Sequence, residues 1–424
     1  MTSGADRLRA ALEANGVVAT PSSSGATPNR LTQPVPGASS AGLRQRAAAK
    51  RIGSDAIRDI SPCVVSGATQ TLLGGDCRDL LGETPDNSVD LIFTDPGMGG
   101  SGDGWDRGVP GQPYWDEMAR VLKPGGHLAF FASRKYQHRA ITRAEDAGLD
   151  PRDLLLWVFG KGMPMSLDVG QAIDKKMGGK GEPYFRTAGS LPDEQRKALV
   201  KANPWYGWGT EIRPTWEPIA ILRKPCDGSV ANNVLTWGTG AMNIDATRIP
   251  VEGTRDAIAT WIPPDQGDAH GLALTKYQQV VGQTTLGRWP ADALFSHAEG
   301  CGESACAPGC AVRHLELEFE GTAKYFYCPK ADRREKDLGL GPKENSLKGV
   351  KPVEVCAWVM ALLTPPGGLV LDPFAGTASS GLAAIRLDGM GIPCRWVGIE
   401  LDSVWVDLGQ RRLEAYRSRP VAPG

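Results

Sequence analysis

The stretch VLDPFAGTASSGLAAIRL, residues 370–387, decides the fold of this chain. Its apolar start ends at Asp372, a turn containing Gly376 follows, and the remainder has the residue spacing of a helix. A strand that runs through a glycine-containing turn into a helix is the repeating unit of parallel α/β sheets. In such sheets, ligands bind beyond the carboxyl ends of the strands, where a small residue lets the backbone approach them. The stretch therefore predicts a parallel sheet and a binding site at its edge.

An acidic residue strengthens this prediction. Glu400 ends the next strand-like run, VGIELD, 28 residues after Asp372. A carboxylate at the end of the neighbouring strand is placed to bind the hydroxyl groups of a ribose. The glycine-rich turn alone fits a tight loop equally well. Together with Glu400, it favours a cofactor that carries a nucleoside.

Strand-like and helix-like runs alternate in two blocks, one in each half of the chain. The strand-like runs of the first block are 90–96, 126–133 and 153–160, and its helix-like runs are 112–124 and 134–148. The alternation returns from 353 to the end of the chain. Such alternation is typical of βαβ units. We predict an α/β, Rossmann-like fold, whose mostly parallel sheet has helices on both faces and is assembled from both ends of the chain.

The first block contains a second candidate motif. FTDPGMGG, residues 93–100, places Asp95 directly after an apolar strand. The Asp95 carboxylate and the backbone carbonyl of Pro96 are two acceptors that could together hold both N–H groups of an exocyclic amine. The alternative is an ordinary turn that begins at an aspartate.

The two blocks are separated by a middle region of different character. Between 175 and 230 it has ten Lys or Arg and six Asp or Glu residues, interleaved with aromatic residues. This mixture suits a nucleic-acid surface, and an ordinary solvated domain is the alternative. Residues 1–60 are mildly basic and of low complexity, which predicts a disordered tail. A transit peptide would look similar.

The overall composition restricts the function classes. Lys plus Arg (47) and Asp plus Glu (48) nearly cancel, so an anionic partner must be met by a local basic face. No apolar run is long enough to span a membrane. An odd number of cysteines, nine, and the absence of a secretory signal favour a reducing compartment, and we expect the cytoplasm.

A cluster of thiol and imidazole side chains lies in HAEGCGESACAPGCAVRH, residues 297–314. Such ligands on a short loop suit structural zinc, which prefers four of them in a tetrahedron. We predict a zinc site with four ligands, His297, Cys301, Cys306 and Cys310, and leave His314 as a spare. A cysteine-rich surface loop without metal is the alternative.

These motifs, in this order, resemble the β-type DNA amino-methyltransferases, as found in phages and prophages. The resemblance spans roughly 70–415 and includes GGDC at 74–77, WVFGKGMPMSLDV at 157–169 and WEPIAILRKP at 216–225. It implies a Rossmann-like methyltransferase that takes the methyl group of S-adenosylmethionine and modifies DNA. In chain order, the catalytic motif precedes the cofactor motif.

The resemblance also implies roles for individual residues. Asp95, Pro96, Gly97 and Met98 correspond to the catalytic motif, with Asp95 and the Pro96 carbonyl holding the target amine. The residues that correspond to the cofactor site are Asp76, Asp95, Lys351, Asp372, Phe374, Gly376, Thr377, Glu400 and Leu401. Among them, Asp76 would lie near the adenine, Glu400 would bind the ribose, and Lys351 would match the segment at the methionine end.

The chain departs from the family pattern at the catalytic motif. The family sequence is Asp-Pro-Pro-Tyr, whereas this chain has Asp95-Pro96-Gly97-Met98. The missing tyrosine is the ring on which the extruded base stacks. Met98 could contact a ring face through its sulfur, or Trp105 could supply a replacement ring. The second glycine of the cofactor loop is Ala378.

We therefore predict four segments: a tail (1–60), a catalytic half (61–160), an inserted target-recognition region (161–345) and a cofactor-binding half (346–424). The predicted activity is site-specific methylation of adenine N6 in DNA. Methylation of cytosine N4 and an inactive DNA-binding homologue are the alternatives. A homodimer and a cognate restriction nuclease are candidate partners that the sequence does not decide.

Overall fold

A computed structural model of the chain describes residues 4–15, 70–99, 106, 108–159, 166–187, 189–248, 256–261, 278–284, 289–295 and 330–418. The predicted zinc ligands, Trp105 and most of the predicted tail lie outside these residues.

Ten strands occur in the described residues. In chain order they are β1 (Gln70–Gly74), β2 (Val89–Thr94), β3 (Leu122–Phe131), β4 (Asp150–Val158), β5 (Trp216–Arg223), β6 (Asp256–Trp261), β7 (Gln278–Thr284), β8 (Ala293–Phe295), β9 (Leu369–Asp372) and β10 (Arg395–Glu400). Strands β6 and β7 form a separate antiparallel pair. The other strands form one sheet of eight, in the order β1-β10-β9-β2-β3-β5-β4-β8.

Twelve α-helices occur in the same residues. They are α1 (Gly4–Ala14), α2 (Cys77–Gly82), α3 (Gln112–Val121), α4 (Gln137–Asp146), α5 (Val169–Lys176), α6 (Tyr184–Thr187), α7 (Asp193–Ala202), α8 (Val230–Trp237), α9 (Arg333–Lys336), α10 (Val353–Leu363), α11 (Ser379–Gly389) and α12 (Ser403–Arg417). The strands and helices predicted from the two alternating blocks all occur, and their bounds differ by a few residues.

The sheet is mostly parallel and combines both ends of the chain, as predicted. Strands β9 and β10, from the C-terminal block, lie between β1 and β2, and every neighbouring pair from β1 to β3 is parallel. Strand β5 alone runs antiparallel to its neighbours β3 and β4 in this sheet of the described residues.

Both faces of the sheet are buried. Leu91 and Phe93 of β2 pack into one apolar cluster, whereas Ile92 between them packs into the other. This alternation follows from the two-residue period of a strand. Helix α10 lies in the first cluster and is buried at every position except Glu354, which explains why its sequence is apolar on all sides.

The prediction of a disordered tail is wrong for residues 4–15. Helix α1 places Leu8, Ala11 and Leu12 in the second apolar cluster, on the side of β1 and α2. These residues have the spacing of one helix face, so the segment can bury enough apolar surface to order. The low overall complexity of the first 60 residues concealed this short amphipathic pattern.

The predicted boundaries of the insertion, 161–345, also need correction. Strand β5 belongs to the central sheet, between β3 and β4. Residues 330–345 also pack on the C-terminal half, where Glu335 accepts a hydrogen bond from the backbone N–H of Val353 (2.6 Å). The predicted insertion therefore contains two strands of the central sheet, β5 and β8, and its residues 330–345 pack with the C-terminal half. The apolar run of β5 is short and bounded by Pro218, which hid it in the sequence.

No helix in the described part of the chain has both the length and the hydrophobicity required to cross a membrane.

Candidate functional site

A cavity of about 820 Å³ opens at the carboxyl ends of β2 and β9. These neighbouring strands continue in opposite directions across the sheet, because β9 leads to β10 on one side and β2 leads to β3 on the other. Such a switch point leaves a crevice between the loops that follow the two strands. The cavity has the volume of a small-molecule site.

The Asp95 motif and the glycine-rich turn line the same cavity. Asp95 follows β2, Asp372 ends β9, and Glu400 ends β10. All three residues are among those that line the cavity. Residues almost 280 positions apart in the sequence thus face one space.

The Asp95 carboxylate is one member of a cluster of three charged groups. The ammonium group of Lys351 lies 2.8 Å from Asp95 Oδ2 and 2.6 Å from Glu217 Oε1. It also lies 4.8 Å from the ring centroid of Phe131. The Lys351 side chain is only 13 % exposed, so both ion pairs are largely shielded from water. We call Asp95, Lys351 and Glu217 the charged triad.

Burial and neighbouring charges change the pKa values within the triad. Burial raises the pKa of Asp95 to about 6; Lys351 opposes this increase, and the carboxylates of Glu217 and Asp106 add to it. Burial also acts against the charged form of Lys351, but the two carboxylates outweigh it and raise the lysine pKa. The lysine therefore stays charged at neutral pH, and Asp95 is ionised only above about pH 6.

The other three residues of the predicted catalytic motif lie in different surroundings. Gly97 lines the cavity, whereas Pro96 is buried and is not among the lining residues. Met98 is only 6 % exposed and packs in the second apolar cluster. The hypothesis that Met98 replaces the family's stacking ring therefore needs correction, because its side chain packs into the core. The role of the Pro96 carbonyl stays a prediction.

A conservative substitution of Met98 tests this placement. We expect Met98→Leu to change the free energy of unfolding by less than about 1.5 kcal/mol, because it conserves volume in a packed core. It should leave the Kd for DNA unchanged. Met98→Ala should destabilise the fold by about 2–5 kcal/mol. Thermal unfolding and DNA titration measure both effects, and a Kd for DNA that rises in the leucine variant would contradict the core position.

Asp372 connects the two strand ends that form the cavity. Its carboxylate accepts hydrogen bonds from the Thr94 hydroxyl (2.7 Å), the Ser380 hydroxyl (2.5 Å) and the backbone N–H of Phe374 (3.1 Å). Burial raises its pKa to about 7, although the hydroxyl groups of Ser380 and Thr94 act in the opposite direction. Since Thr94 directly precedes Asp95, this carboxylate joins the glycine-rich turn to the Asp95 motif.

The turn after β9 has an unusual backbone. Gly376 (φ 53°) and Ala378 (φ 63°) both adopt the left-handed conformation. Alanine in this conformation costs roughly 1–2 kcal/mol, so surrounding contacts must hold the turn. Buried Arg412 supplies one of them by donating to the backbone carbonyl of Thr377 and to its Oγ1 (3.0 Å). The Thr377 hydroxyl is thereby held towards the protein, although the residue borders the cavity.

Two carboxylates border the far end of the cavity. Glu400 accepts hydrogen bonds from the backbone N–H groups of Gly376 and Asp402, both at 2.8 Å. Asp76, which follows the adjacent strand β1, forms an ion pair with Arg78 (2.5 Å). The guanidinium lowers the pKa of Asp76, which keeps it ionised. Leu401 lines the cavity beside Glu400 and is 72 % exposed.

Aromatic side chains border the same end. Tyr114 of α3 and Phe374 pack with ring centroids 5.8 Å apart, and Trp405 of α12 also lines the cavity. Two acidic groups beside an aromatic wall are suited to the hydroxyl groups and the ring of a nucleoside.

The structure thus brings ten of the twelve predicted catalytic and cofactor residues to one cavity, all except Pro96 and Met98. Lys351 lies between two carboxylates, a position that the resemblance alone did not indicate. Sequence reasoning missed Glu217, although it lies in the quoted segment WEPIAILRKP as the only acidic residue there. It also missed Thr94, Ser380, Arg412 and Tyr114, which are common residue types with no distinctive spacing.

The predicted zinc ligands, His297, Cys301, Cys306 and Cys310, lie outside the described residues, so the zinc site stays a prediction. Among the residues that the structure describes, no group of three or more His, Cys, Asp and Glu side chains could hold a metal ion.

Comparison with known proteins gives matches over most of the chain. A family model described as DNA methylase, of the N6/N4 type, matches residues 89–411. The type II methyltransferase M.HindIII of Haemophilus influenzae is 28 % identical over 135 residues, which cover 31 % of this chain and 37 % of that protein. The type II methyltransferase M.Cfr9I of Citrobacter freundii is 31 % identical over 103 residues, or 22 % of this chain and 33 % of that protein. The aligned segments thus span little more than a third of either relative.

Solved structures with a similar arrangement include M1.HpyAVI in complex with SAM, at a TM-score of 0.38 and 13 % identity, covering 81 % of this chain and 99 % of that one. The PvuII DNA methyltransferase, described as cytosine-N4-specific, has a TM-score of 0.41 and 14 % identity, and the match covers 84 % of this chain and 89 % of that one.

Proposed function

This chain belongs to the N6/N4 family of DNA methylases, and we propose that it transfers a methyl group from S-adenosylmethionine to the exocyclic N6 of adenine in DNA. One observation carries the proposal: Asp95 faces the same cavity as Asp372 and Glu400, at the switch point of the sheet. The residues proposed for the amine and those proposed for the methyl donor are therefore within reach of each other.

The Asp95 carboxylate supplies what the amine needs. The lone pair of an exocyclic amino nitrogen is delocalised into the base, so the nitrogen is a poor nucleophile. Accepting its N–H hydrogen bonds at Asp95, with the Pro96 carbonyl as second acceptor, favours a pyramidal nitrogen with a localised lone pair. A hydrogen bond to a charged group contributes about 1.5–3 kcal/mol. Holding the amine in line with the methyl carbon adds a larger contribution from proximity.

The residues at the far end fit S-adenosylmethionine. Glu400 and Asp76 offer carboxylates to the ribose hydroxyl and adenine amino groups, and Phe374 with Tyr114 offers ring faces to the adenine. The N–H groups that already bind Glu400 hold its carboxylate at a defined position. When bound, S-adenosylmethionine supplies an activated methyl group on a sulfonium, so the transfer needs neither a metal nor a covalent enzyme intermediate.

Asp95 is also the group that receives the proton. A methylated amino nitrogen carries one proton too many, and the Asp95 carboxylate is the base nearest to the proposed amine position. The cationic neighbour Lys351 keeps that carboxylate ionised, and Glu217 holds the lysine from the other side. Lys351 and Glu217 therefore act as positioning residues.

This assignment predicts the pH dependence of the reaction. Burial raises the pKa of Asp95 from 3.8 to about 6, so the carboxylate becomes protonated as the pH falls through 6. We expect the single-turnover rate to fall about tenfold per pH unit below that value. Measurement between pH 5 and 8 tests this. The side chain of Asn does not titrate in this range, so the rate of the Asp95→Asn variant should not fall at acidic pH. If its rate still falls below pH 6, the titrating group is another residue, such as Asp372.

DNA is the partner that follows from family membership. The target base lies inside a duplex, and its extrusion costs a few kcal/mol. The cytoplasmic location, the homodimer, the partner nuclease and the zinc loop described in the sequence analysis stay predictions.

Nucleoside mass spectrometry tests the proposed function directly. Genomic DNA that lacks amino-methylation is incubated with the full-length protein and S-adenosylmethionine, then digested to nucleosides. N6-methyladenine supports the proposal. N4-methylcytosine would replace it with the cytosine reaction, because the same acceptors fit either amine. The chain is an inactive homologue if two results are obtained together. Neither methylated nucleoside forms when the protein is in molar excess over the target sites in the DNA, and the Asp95→Ala variant gives the same nucleoside composition.

A further inference from the structure

The segment between β4 and β5 exposes an unusual amount of apolar surface. Its large apolar side chains with more than a third of their surface exposed are Leu167, Met177, Phe185, Val200, Trp205, Trp208 and Ile212. Exposed apolar patches of this kind mark interaction sites. We use the name aromatic surface for the rings of Phe185, Trp205 and Trp208 together with the aliphatic side chain of Ile212.

The two indoles of this surface pack edge to face, with their ring planes at 66°. The indoles of Trp205 and Trp208 are 47 % and 59 % exposed, with ring centroids 5.3 Å apart. Gly209 lies against Phe185, because a Cβ at that glycine would be 3.2 Å from the Phe185 ring. Phe185 therefore packs against Gly209, the residue that follows Trp208.

A polar framework holds the rings outward. Asp174 of α5 accepts hydrogen bonds from Asn203 Nδ2 (2.7 Å) and the Tyr206 hydroxyl (2.5 Å). The Tyr206 ring lies so close to Gly170 that a Cβ there would be 2.7 Å from it. These contacts bury Asn203 and Tyr206, whereas Trp205 and Trp208 on either side of Tyr206 in the sequence stay exposed. The exposure of Trp205 and Trp208 is thus a consequence of a well-packed turn.

The aromatic surface lies at the same edge of the sheet as the charged triad. Its segment leaves the carboxyl end of β4 and returns at the start of β5, where the N–H of Phe159 donates to the carbonyl of Thr215 (2.8 Å). Lys135, just beyond β3, forms an ion pair with Glu211 of the segment (2.5 Å). Glu217 of the triad is two residues beyond Thr215.

The charges around the surface favour an anionic partner. Exposed cationic side chains in the segment are Lys175, Lys176, Lys180, Arg186, Lys197, Lys201 and Arg213, of which Lys197 pairs with Glu194. Several of its carboxylates are directed inward or paired: Asp168 and Asp174 accept hydrogen bonds within the segment, and Glu211 pairs with Lys135. Lysine is depleted in protein–protein interfaces, whereas phosphate contacts are made by lysine and arginine. These charges favour a nucleic acid over a protein as the occupant.

We propose that the aromatic surface binds unpaired DNA bases beside the cavity, by stacking them on Trp205 and Trp208. In a duplex, the faces of the bases are covered by their neighbours, so exposed indoles can stack only on bases that have left the helix. Extrusion takes the target base out of the stack and leaves its former pairing partner unpaired, so both become available to such a surface. The inference rests on the proposed function for its ligand, DNA, and is independent of methyl transfer.

Binding measurements with the full-length protein test the proposal. The probes are a fluorescent single-stranded 25-mer, the fully paired duplex, and the same duplex with a central bubble of mismatched bases. We expect Trp205→Ala and Trp208→Ala each to weaken binding to the strand and the bubble by roughly 5- to 150-fold, the loss of one stacked base. Binding to the paired duplex should change by less than about threefold. Trp208→Phe should retain most of the affinity.

Matched controls come from the opposite edge of the sheet. Leu235 (73 % exposed) lies after the carboxyl end of the antiparallel strand β5, and Met390 (61 % exposed) lies before the start of β10. Their alanine variants should bind all three probes as the original protein does. Circular dichroism confirms folding of each variant. Unchanged strand and bubble affinity in the double Trp205→Ala/Trp208→Ala variant overturns the proposal. So does equal loss on all three probes, or loss of self-association in sedimentation without any change in DNA affinity. If no methylated nucleoside forms but binding to the strand and the bubble still depends on Trp205 and Trp208, the proposed function is refuted and the aromatic-surface proposal stands.

Discussion

Replacing Asp95 by alanine is expected to reduce the methylation rate by a factor of about a thousand or more, while the Kd for S-adenosylmethionine changes by less than about threefold. A positioned proton acceptor contributes roughly 10²–10⁴ to a rate, and a hydrogen bond to a charged group adds about 1.5–3 kcal/mol. The fold should tolerate the change, because Lys351 retains its second partner, Glu217, at 2.6 Å. Single-turnover transfer of a labelled methyl group and calorimetric cofactor titration measure the two effects.

The conservative variant Asp95→Asn is the control for this prediction. It preserves an acceptor oxygen for the amine but removes the negative charge that takes the proton, so its rate should lie between those of the alanine variant and the original protein. If Asp95→Ala transferred methyl groups at the original rate, Asp95 would have no part in the reaction. An equal loss of cofactor affinity and rate would place Asp95 in the cofactor site alone.

Replacing Lys351 by methionine is expected to have the second largest effect. It leaves the carboxylates of Asp95 and Glu217 facing each other without the cation that lies 2.8 Å and 2.6 Å from them. Because Lys351 lowers the pKa of Asp95, its loss raises that pKa above 6, so a larger fraction of Asp95 is protonated at neutral pH. The rate should fall about tenfold for each unit by which the pKa of Asp95 exceeds the pH of the assay. The acidic limb of the pH profile should move to higher pH.

A second substitution separates this electrostatic effect from simple damage. Glu217 raises the pKa of Asp95, so adding Glu217→Gln to Lys351→Met should lower the pKa again and restore part of the neutral-pH rate. The single variant Glu217→Gln should move the acidic limb to lower pH. Failure of the double variant to recover any activity would argue that Lys351 contacts substrate or cofactor directly.

The chain offers a matched control for the loss of a shielded ion pair. Lys123, at the start of β3, lies 2.6 Å from Asp90 and away from the cavity. Breaking a fully buried pair costs about 3–5 kcal/mol, and both sites should lose less because they are partly exposed. Lys123→Met and Lys351→Met should therefore lower the unfolding midpoint similarly. Only Lys351→Met should change the pH dependence of the rate.

Much of the fold was predictable because it depends on local patterns. The apolar run before Asp372 and the apolar run before Asp95 both form parallel strands, and the intervening periodic segments form helices. Placement of Asp95, Asp372 and Glu400 at strand ends was sufficient to predict that they meet, since parallel strands bring their carboxyl ends to one edge.

Other features of the site could not be read from local patterns. Met98 looked like an adaptable base contact in the sequence, but the turn after β2 directs it into the second apolar cluster. Glu217 lies in a proline-containing stretch without a diagnostic motif, and it gains a role only because β5 inserts antiparallel between β3 and β4. Residues 4–15 looked like part of a disordered tail, and they order because β1 and α2 offer an apolar surface to α1.

The sequence by itself determined the type and position of the strands and helices of the two sheet-forming blocks, and the residues at the ends of the strands. Residue periodicity and turn residues act over a few positions, so they can be read along the chain. Only the tertiary structure decided which strands are neighbours and which charges pair, as for Lys351 with Glu217, 134 residues away. The entropic cost of closing a loop grows only slowly with its length. Sequence separation therefore says little about which partner a residue will meet, and the choice is made by the burial of both faces of the completed sheet.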